Sequence, residues 1–586
     1  MTEPARPGTA ADRSLRVTVF TGTAPCAVAS LIARLMAEAP EARVTGVLYE
    51  QRRGQTFPRR VRSFARSLRD PDFLPYVAER VRGGARRKLA GAGDALLRMV
   101  HACPRHPNGA AEMARGELQA LCTARGIAFL ATEDVHSPEA LAFVRAQDAD
   151  LGLVYGTRIL QPALFELPRL GSVNIHQRKV PDYRGGGPIG LWELLEGEQE
   201  IGVTVHRVVR EVDAGAVLEC ATIAIHEYDT LNSLALKAQT VGNDLLVRTV
   251  RNFAAGTVVE RPQTGSGRVF RSPSPQKLHR LERQLRRARP GARTPATRPA
   301  VKLLARSCLF LPYVTVRNWH RRRQQSFPIV ILYHHLVADR AHVDGISTDD
   351  YAAHVSYLRK HYRIVSVEQA VAMLESGRVS MPTVVLTLDD GYADNFLGLR
   401  AIVEDSGVPV AMFVSTGLVK EQREFAHDVR ASLHGFLPLT EEQLVQMSRG
   451  GFEVGSHTRS HFDCGSSDPA ALQREIVGSK RDLEVLLHAP QRFFAFPWGQ
   501  PANMSGAALA LARETYQCVL SAFGGHNVPG GTSPWWHLRR CPHPNNLWEL
   551  ELQVQSVLEL REPKVDLDAA RQAWSPVRDV AVRADG

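Results

Sequence analysis

The sequence is poor in several features that mark particular classes of protein. Its eight cysteines among 586 residues include no Cys-x-x-Cys pair, which argues against a disulfide framework and against a cysteine-type zinc site. A reducing compartment is therefore expected. No run of apolar residues is long enough to cross a bilayer, so the sequence predicts no transmembrane helix. The first 13 residues are polar and lack the apolar stretch of a secretion signal, and we expect a disordered tail at 1–13.

Acidic residues are scarce in one segment, 262–326. It holds 16 Lys and Arg and a single acid, Glu282, hence a local charge of +15. The chain total is +11, so the rest of the chain sums to −4. We therefore expect a basic Pro- and Arg-rich linker at 262–326, whose charge says little about the domains on either side. The arginines of 51–115 are not interleaved with aromatic residues that stack on bases, so no nucleic-acid partner is expected.

Two parts of this linker differ in composition. Residues 293–299 (RTPATRP) indicate a flexible joint. Residues 302–323 combine an apolar patch with basic ends, and three interpretations stay open: a cap packed on one domain, a helix on an anionic membrane surface, or a polyanion site. Pro312 argues against one long amphipathic helix there. The expected location is the cytoplasm, with peripheral contact at the inner face of the membrane through 302–323 as the alternative.

What is present is ordinary globular material, with 44% hydrophobic and 23% charged residues. A chain of this length is expected to hold two to four domains. Residues 15–50 follow the pattern strand, glycine turn, helix, strand, and the alternation resumes at 116–155. The pattern predicts an α/β domain with a Rossmann-like open parallel sheet. The basic, helix-compatible segment 51–115 is expected to cover one face or to form an insertion.

Polar residues of three kinds follow in the next stretch, 171–219. Asn174 and His176 point to one side of a predicted strand, and Asp213 comes after a second strand that ends in His206. An amide, an imidazole and a carboxylate suit acyl transfer to an amine, because they can stabilise an oxyanion, accept the amine proton and orient the imidazole. From spacing alone, a core Asn and His in a strand is the simpler interpretation.

The motifs NIH, PDYRGGGP, GVTVH and DAG resemble the formyltransferase family, over about 14–261. The resemblance implies catalytic Asn174, His176 and Asp213, with 10-formyltetrahydrofolate as donor and an amine as acceptor. It also implies substrate contacts in the glycine loop. These contacts would come from Tyr183, Arg184 and Gly185. Gln177-Arg178-Lys179-Val180 departs from the family pattern, which puts the acceptor in doubt. The residues after Arg261 do not resemble the small β-barrel that follows the catalytic domain in methionyl-tRNA formyltransferases, so tRNA is disfavoured.

A second constellation begins at 383–395 (TVVLTLDDGYADN). A buried-type strand ends in Asp389 and Asp390, and two carboxylates at such a position require a cation or hydrogen bonds. Downstream, another short apolar run ends in Gly455, and His457 and His461 follow at i and i+4. Two imidazoles and one carboxylate leave coordination positions open on a divalent ion. The sequence therefore predicts a metal site.

Asp389-Asp390-Gly391, His457-x-x-x-His461 and Phe496-Pro497-Trp498-Gly499 resemble motifs of the polysaccharide deacetylase (NodB homology) family. The likeness covers about 327–560 and implies a distorted (β/α) barrel that hydrolyses an N-acyl group from an amino sugar. It implies a divalent metal of the Zn²⁺ type held by Asp390, His457 and His461, with Asp389 as general base. Substrate contacts are expected from the first strand and the Pro-aromatic-Gly motif. These are Tyr333, His334, Pro497, Trp498 and Gly499.

Two departures from this family affect the catalytic residues. Many members carry an Arg two residues before the Pro of the last motif, where Ala495 stands here, and Arg540 is the candidate to supply the guanidinium instead. The late His that acts as general acid has no clear match. His543 is the expected residue, and His537 is the alternative. The charged tail at 561–586 is expected to be frayed.

Together the two resemblances predict a bifunctional enzyme that modifies amino-sugar nitrogen in cell-surface polysaccharide or glycoconjugate biosynthesis. A deacylase uncovers an amine, and a formyltransferase needs one. The substrate would be nucleotide-, lipid- or polymer-linked. The competing hypothesis is that only the deacetylase is catalytic and that the formyltransferase-like domain is a binding or scaffolding module.

Overall fold

The computed structural model describes residues 14–51, 110–227, 229–265, 267–288, 301–340, 342–530 and 535–555. The tails expected at 1–13 and 561–586, almost all of 51–109, and the joint expected at 293–299 lie outside these residues. The chain divides into two compact units, with the described residues up to 288 in the first and those from 301 in the second. Each unit is described by itself.

The N-terminal unit alternates strands and helices. Its strands are β1 Leu15–Thr21, β2 Ala42–Glu50, β3 Ala128–Thr132, β4 Leu151–Tyr155, β5 Ser172–His176, β6 Tyr183–Gly185, β7 Glu200–Arg207, β8 Val217–Ala224 and β9 Arg268–Phe270. Its helices are α1 Pro25–Glu38, α2 Ala110–Ala124, α3 Pro138–Ala146, α4 Pro162–Phe165, α5 Leu191–Glu196, α6 Leu231–Ala255 and α7 Pro275–Ala288. Seven strands form one sheet in the order β3-β2-β1-β4-β5-β7-β8, and β6 pairs with β9 separately.

Five consecutive strands of this sheet, from β3 at one edge to β5, are parallel, which confirms the expected open parallel sheet. Val17 and Val19 of β1 are fully buried with Leu31 and Leu35 of α1 in the core on one face of the sheet, as the apolar alternation of a covered strand requires. Strands β7 and β8 are antiparallel additions at one edge. The β5–β7 pairing matters for function, because its register sets Asn174 directly opposite His206.

Within the basic segment 262–326, the described residues form a short strand and two helices. Its first part supplies β9 and α7 to the N-terminal unit, and its last part forms α8, Val301–Gln324, in the C-terminal unit. The expectation that Pro312 prevents one long helix is wrong, since α8 runs through it. Tertiary contacts outweigh the local cost of the proline: Val314 and Asn318 are buried, and the Asn318 amide donates to Gln555 Oε1 at 3.1 Å. These contacts fit the cap interpretation of 302–323.

The C-terminal unit is built around a barrel. Its strands are β10 Ile329–His334, β11 Leu336–Val337, β12 Gly345–Ile346, β13 Arg363–Ile364, β14 Thr383–Leu388, β15 Val410–Val414, β16 Glu453–Ser456, β17 Phe493–Ala495, β18 Cys518–Ser521 and β19 His537–Pro542. The remaining helices are α9 Thr348–His361, α10 Val367–Glu375, α11 Gly398–Ser406, α12 Thr416–Glu421, α13 Ala426–Arg430, α14 Glu441–Arg449, α15 Pro469–Leu472, α16 Gly478–Leu487, α17 Gly506–Thr515 and α18 Leu547–Val554. Shorter turns are the 3₁₀ segments Ala393–Phe396 and Pro501–Asn503 and the π-helical turn Gln473–Val477.

Seven parallel strands close this barrel, in the order β10-β19-β18-β17-β16-β15-β14, because β10 pairs with both β19 and β14. The expected distorted (β/α) barrel is confirmed, and β13 adds to β14 outside the ring. Apolar side chains fill the interior, among them Ile331, Val385, Phe413 and Leu538. Because all the strands of the ring run in one direction, the residues that follow them gather at one edge, where barrels of this type carry their sites.

Among the described helices, none has both the length and the apolar character that a bilayer crossing requires.

Candidate active sites

Two carboxylates stand at the carboxyl edge of the barrel, directly after β14. The Asp389 N–H donates to the His334 carbonyl oxygen at 2.9 Å, so the strand pairing with β10 continues to this residue. Asp390 then turns into the left-handed region with φ +68°, a conformation that non-glycine residues adopt rarely and mostly at functional positions. The two side chains therefore leave the strand in different directions and meet different partners.

Asp390 meets two histidines. Its Oδ1 lies 3.2 Å from His461 Nε2 and 3.6 Å from His457 Nε2, and one ligand atom from each of the three residues lies within 4.8 Å of the others. His457 follows β16, and His461 lies one turn further on, with φ +55°. The structure thus brings together the three metal ligands expected from the sequence.

The surroundings of this cluster fit a cation. Asp390 Oδ1 is buried and has no hydrogen-bond partner among the described residues, and burial and the neighbouring Asp389 raise the pKa of Asp390 well above its ordinary value. The Nδ1 of His457 lies 2.8 Å from the Ala495 carbonyl oxygen, so Nδ1 carries the proton and Nε2 presents a lone pair to Asp390. Burial lowers the pKa of His457 to about 4, which keeps its ring neutral. A buried carboxylate beside two neutral imidazoles is a donor set for a divalent ion such as Zn²⁺.

The turn that joins the two histidines is held from outside. Glu475, in the π-helical turn, accepts hydrogen bonds from the N–H groups of Arg459 and Ser460, both at 2.9 Å. Arg459 in turn makes a bidentate ion pair with Asp482, at 2.7 and 2.6 Å. Thr458 has φ +63°, so this turn is strained and needs such support. The sequence pattern gave no sign of Glu475, because the helix that carries it begins after the motif ends.

Asp389 meets Arg540 from the last strand. The guanidinium donates to both carboxylate oxygens, at 2.6 and 2.7 Å, with both side chains almost fully buried. Burial alone would raise the pKa of Asp389, but the charge and hydrogen bonds of Arg540, together with the nearby His457 and His335, outweigh it, so the pKa of Asp389 lies below its ordinary value. The guanidinium also lies over the ring of Tyr333, 5.2 Å from its centroid. Arg540 thus lies against Asp389, where the sequence analysis expected a guanidinium, and Ala495 contacts His457 through its carbonyl oxygen.

The expected general acid is not brought to the carboxylates. The ring of His543 stacks on His354 of α9, with 5.3 Å between centroids and 3.1 Å between His543 Nε2 and His354 Nδ1. His334 packs edge-on against it and lies 3.1 Å from Asn545 Oδ1 through its own Nε2. The ring of His543 therefore contacts His334 of β10 as well as His354 and Tyr351 of α9. The alternative, His537, stacks on Trp536.

The Pro-aromatic-Gly motif lies beside the metal ligands. The ring of Trp498 is 41% exposed and packs edge-on against His461, with 4.4 Å between centroids. Gly499 has φ +57°, and a Cβ there would meet the Ala522 backbone nitrogen at 2.5 Å, so only glycine fits. Its N–H donates to the Pro497 carbonyl oxygen at 2.6 Å. The motif therefore forms a tight turn that presents Trp498 at the mouth of the site.

Sequence analysis missed a further histidine at this edge. His427 of α13 places its Nε2 3.7 Å from Asp390 Oδ2, and its ring lies 5.0 Å from that of His461. The same Nε2 lies 2.9 Å from the Tyr392 hydroxyl, which donates to Asp428 at 2.8 Å. A His-Asp pair between two strands was the available signal, but it matches neither motif set.

The N-terminal unit gathers its own polar cluster where β5 and β7 meet. His206 Nε2 lies 3.3 Å from Asn174 Nδ2 and 3.4 Å from Asp213 Oδ1. His176 Nδ1 lies 3.6 Å from the other oxygen of Asp213, which also accepts the Gly185 N–H at 2.9 Å. The structure therefore brings together the expected Asn174, His176 and Asp213. It adds His206, which sequence analysis quoted in a motif without assigning a role.

Electrostatics in this cluster favour a charged carboxylate and a neutral imidazole. Burial would raise the pKa of Asp213, but His206, His176 and the Gly185 N–H together hold it below its ordinary value. Burial lowers the pKa of His176 despite the nearby Asp213. His176 Nε2 donates to the Tyr183 carbonyl oxygen at 3.0 Å, which leaves Nδ1 as the basic nitrogen. A neutral imidazole beside a carboxylate can accept a proton from an amine.

The three residues of the glycine loop that were expected to contact substrate differ in their own contacts. Gly185 contacts Asp213 through its N–H, and Arg184 lies half-buried next to it in β6. The Tyr183 hydroxyl instead donates to Glu196 at 2.7 Å, and burial raises the pKa of Tyr183 to about 12. The side chain of Tyr183 thus anchors the loop to the end of α5.

Residues 177–180, which differ from the formyltransferase family pattern, contribute to the structure of the glycine loop. Arg178 is buried and donates to the carbonyl oxygens of Gly187 and Pro188, at 2.9 and 2.6 Å, while Glu193 lies 3.4 Å away. Its guanidinium therefore ties the strand end to the glycine loop. Lys179 is exposed, 3.6 Å from Glu200. Arg178 therefore orders the glycine loop, which borders Asp213.

Two family models match the chain, one in each unit. Residues 104–250 match the formyl transferase family and residues 376–516 match the polysaccharide deacetylase family. The first match contains Asn174, His176 and Asp213, and the second contains Asp389, Asp390, His457 and His461. Both resemblances seen in the sequence are thereby confirmed.

Individual proteins match smaller shares of the chain. Methionyl-tRNA formyltransferase of Chlorobium chlorochromatii is 34% identical over 134 residues, which is 23% of this chain and 42% of that protein. The chain spans less than half the length of such curated relatives. A Streptococcus pyogenes deacetylase in complex with acetate is 19% identical, with a TM-score of 0.32 over 41% of this chain and 99% of that one. A sugar N-formyltransferase from a Shewanella species is 15% identical, with a TM-score of 0.28 over 44% and 76%.

The family matches and the two clusters agree in place and in residue type, so this chain carries a formyltransferase domain followed by a polysaccharide deacetylase domain.

Proposed function

We propose that the chain is a bifunctional enzyme that acts on amino-sugar nitrogen, removing an N-acyl group at the barrel and adding a formyl group at the N-terminal sheet. The observation that carries the proposal is the buried Asp389–Arg540 ion pair next to Asp390, whose buried Oδ1 has no hydrogen-bond partner among the described residues. Of these two adjacent carboxylates, Asp389 is thereby suited to act as a base and Asp390 to bind a metal. The acyl group is acetyl or formyl, since the same chemistry removes either. The products would serve cell-surface polysaccharide or glycoconjugate synthesis in the cytoplasm.

In the deacetylase domain, the residues divide the work of amide hydrolysis. Asp390, His457 and His461 would hold a divalent ion, which supplies Lewis acidity toward the acyl carbonyl and the attacking water. Asp389, kept ionised by Arg540, accepts a proton from that water. Arg540 fixes the carboxylate through two hydrogen bonds, so the base is already oriented when the substrate arrives. Trp498 offers an exposed ring for the sugar to stack on.

In the formyltransferase domain, Asn174, His176 and Asp213 supply the groups that formyl transfer to an amine needs. The Asn174 amide can donate to the oxyanion that develops on the formyl carbon. His176 Nδ1 accepts a proton from the attacking amine, and Asp213 stabilises the resulting imidazolium at 3.6 Å. The formyl donor would be 10-formyltetrahydrofolate, the donor expected for this family.

The acceptor is proposed to be a small amino sugar rather than a tRNA. The curated relatives that carry the name methionyl-tRNA formyltransferase match this chain over less than half their length. After residue 261, the described residues of the N-terminal unit form one short strand and one helix, and these differ from the β-barrel expected of a tRNA-directed enzyme. A deacetylase domain in the same chain supplies the free amine that an amino-sugar acceptor requires.

Mass spectrometry of UDP- and dTDP-linked amino sugars, incubated with the full chain, a divalent metal and 10-formyltetrahydrofolate, tests both activities. We expect loss of an acyl group and gain of a formyl group. Asp389→Asn should block the loss of the acyl group, and with it the formylation of N-acylated sugars, but not the formylation of sugars supplied with a free amine. His176→Ala should block the gain of the formyl group and leave deacylation intact. If neither mass change occurs with any of these sugars, the proposal fails.

A calorimetric titration with a 10-formyl donor analogue tests the competing hypothesis of a non-catalytic N-terminal domain. The residues at 177–180 are the specific reason to consider it. Because Arg178 orders the loop instead of disrupting it, we expect binding. Absence of binding would leave the deacetylase as the single activity.

A further inference from the structure

The deacetylase site has one more polar side chain at its mouth than either family motif accounts for. His427 lies on α13, in the segment between β15 and β16, at the edge of the barrel where the metal ligands gather. Its side chain is 25% exposed, whereas those of Asp390 and His457 are 1% and 2% exposed. His427 therefore stands between the buried cluster and the solvent, on the path of an incoming substrate.

A chain of buried hydrogen bonds holds the His427 ring. His427 Nε2 lies 2.9 Å from the Tyr392 hydroxyl, the hydroxyl lies 2.8 Å from Asp428 Oδ2, and Asp428 Oδ1 lies 3.0 Å from His342 Nε2. Tyr392, Asp428 and the His342 ring are almost completely buried. The Tyr392 ring is packed further against Phe425, with 4.4 Å between centroids. An exposed residue with support of this kind is preorganised.

The same series of hydrogen bonds determines which atoms carry protons. A carboxylate accepts hydrogen bonds only, so the Tyr392 hydroxyl donates its single proton to Asp428. The oxygen of Tyr392 must then accept from His427, which places a proton on His427 Nε2. His427 Nδ1 consequently bears the lone pair, and it has no hydrogen-bond partner among the described residues. The network thus turns one acceptor nitrogen toward whatever occupies the mouth.

The neighbours of His427 indicate what that occupant is. The rings of His427 and Trp498 both pack against His461, with centroids at 5.0 and 4.4 Å, and both are partly exposed. An aromatic face together with a fixed hydrogen-bond acceptor suits a sugar, which presents an apolar face of C–H groups and a rim of hydroxyls. The nitrogen that faces Tyr392, His427 Nε2, lies 3.7 Å from Asp390 Oδ2, and Nδ1 lies across the ring from it. A ligand held at Nδ1 is therefore bound beside the metal ligands but outward of the acyl group, where the hydroxyls of the sugar would lie.

We propose that His427 is a substrate-binding residue of the deacetylase domain, whose Nδ1 accepts a hydrogen bond from a hydroxyl of an N-acyl amino sugar. The assignment rests on the proposed hydrolysis of such sugars. The proposal explains why His427 and Asp428 are hydrogen-bonded to the buried Tyr392 and His342. These hydrogen bonds fix the direction in which His427 Nδ1 points. His427 then contributes to KM more than to kcat, because the contact is made in the bound substrate as well as in the transition state.

Two substitutions at His427 distinguish a hydrogen bond to the substrate from a structural contact with Tyr392. The amide of a Gln side chain reaches as far as Nε2, so His427→Gln keeps a partner for Tyr392 and loses the acceptor at Nδ1. An Asn amide reaches only as far as Nδ1, so His427→Asn keeps the acceptor and loses the contact with Tyr392. His434→Gln is the matched control, because His434 lies in the same inter-strand segment with its side chain 64% exposed.

Release of acetate by the metal-loaded full chain is measured with UDP-N-acetylglucosamine and with tetra-N-acetylchitotetraose. We expect His427→Gln to raise KM about fivefold to tenfold, the loss of one hydrogen bond, with a smaller change in kcat. His427→Asn should raise KM less, and His434→Gln should change neither constant. Metal affinity, titrated separately, should be the same in all variants.

Several results would overturn the assignment. An unchanged KM in His427→Gln, or equal KM increases in the Gln and Asn variants, would remove the role of Nδ1. A lowered metal affinity would make His427 a metal ligand instead. Failure of the wild-type chain to release acetate from both sugars would refute the proposed function itself, and the two failures are thereby distinguished.

Discussion

Each domain of this chain sets an aspartate between two histidines, yet the two clusters balance charge in different ways. In the formyltransferase domain, Asp213 has a neighbour for each oxygen, with the Gly185 N–H on one and His206 by the other. In the deacetylase domain, Asp390 has an oxygen that is buried and lacks any hydrogen bond among the described residues. The pKa of Asp213 is accordingly lowered, and that of Asp390 is raised well above its ordinary value.

The comparison shows that residue types alone do not define a metal site. A carboxylate whose oxygens are satisfied by the protein can act as a permanent anion, as Asp213 does beside His176. A buried carboxylate that is left incomplete is costly unless a cation completes it. The second arrangement therefore depends on an ion from solution, and the first does not. Experiments that disturb one cluster should leave the other untouched.

Removal of metal should give the largest contrast between the domains. We expect a chelator to lower N-deacylation by the full chain at least about 100-fold, since a bound ion supplies several kcal/mol of charge stabilisation. N-formylation of an acceptor supplied with a free amine should not change in the same preparation. Activity assays before chelation, after chelation and after return of Zn²⁺ check this. Asp390→Ala should reproduce the loss without recovery, and deacylation that survives chelation would contradict the metal site.

The converse variant tests the formyltransferase cluster. Asn174→Ala removes the donor proposed for the oxyanion, and we expect kcat for formyl transfer to fall about 100- to 1,000-fold, as for other oxyanion donors. Deacylation by the same variant serves as the internal control for folding. Formylation at the wild-type rate would show that Asn174 is a core residue paired with His206 and nothing more.

A smaller effect is expected from the support of the metal turn. Glu475→Ala removes the acceptor of two backbone N–H groups between His457 and His461, and we expect metal affinity to fall about 10- to 100-fold, as for other residues that orient ligands. Glu475→Gln should lose less. Competition with a chromophoric chelator measures affinity without reference to activity. The control is Glu421→Gln, whose side chain is exposed, and an unchanged affinity in Glu475→Ala would mean that the turn holds itself.

The smallest effects concern acid stability, where the two aspartates should differ in sign. The folded pKa of Asp213 is lowered, so its contribution to stability is present above about pH 4, the ordinary carboxyl value, and is lost as pH falls through the lower folded pKa. The pKa of Asp390 in the metal-free chain is raised, so its contribution is present below about pH 4 and is lost as pH rises through that raised pKa. Calorimetric melting of the chelated chain from pH 3 to 7 measures both domains.

Asp213→Asn and Asp390→Asn should each flatten the pH dependence of its own transition. If the stabilities of the two domains changed with pH in the same direction, the proposed difference between the two aspartates would be contradicted.

Sequence analysis anticipated the parts of each site that lie close together along the chain. Asp389 and Asp390 end a strand, His457 and His461 share a turn, and parallel strands bring such ends to one edge. Arg540 was reached by a different route, from the absence of an Arg at position 495. The parallel sheet followed from the alternation of apolar strands with helices, whereas the barrel was expected from the resemblance to the polysaccharide deacetylase family.

What sequence analysis missed depends on long-range packing. Glu475 and His427 reach the metal ligands from elements whose direction is fixed only after the barrel closes. His206 acquires its neighbours through the antiparallel register of β5 and β7, which no local pattern specifies. The ring contact of His543 with His354 of α9 also depends on this packing, and the role of His543 as general acid stays a prediction. At Pro312, buried contacts of α8 outweighed a local helix-breaking preference.

The closure of the barrel gives its last strand an influence on synthesis of the protein. β19 completes the ring by pairing with β10, and it carries Arg540, the counter-charge of Asp389. During translation, β14 and its aspartates leave the ribosome about 150 residues before that arginine. Until then Asp389 has no cation to pair with, so an early enclosed barrel is disfavoured. The counter-charge of Asp389 therefore arrives with the same strand that closes the ring.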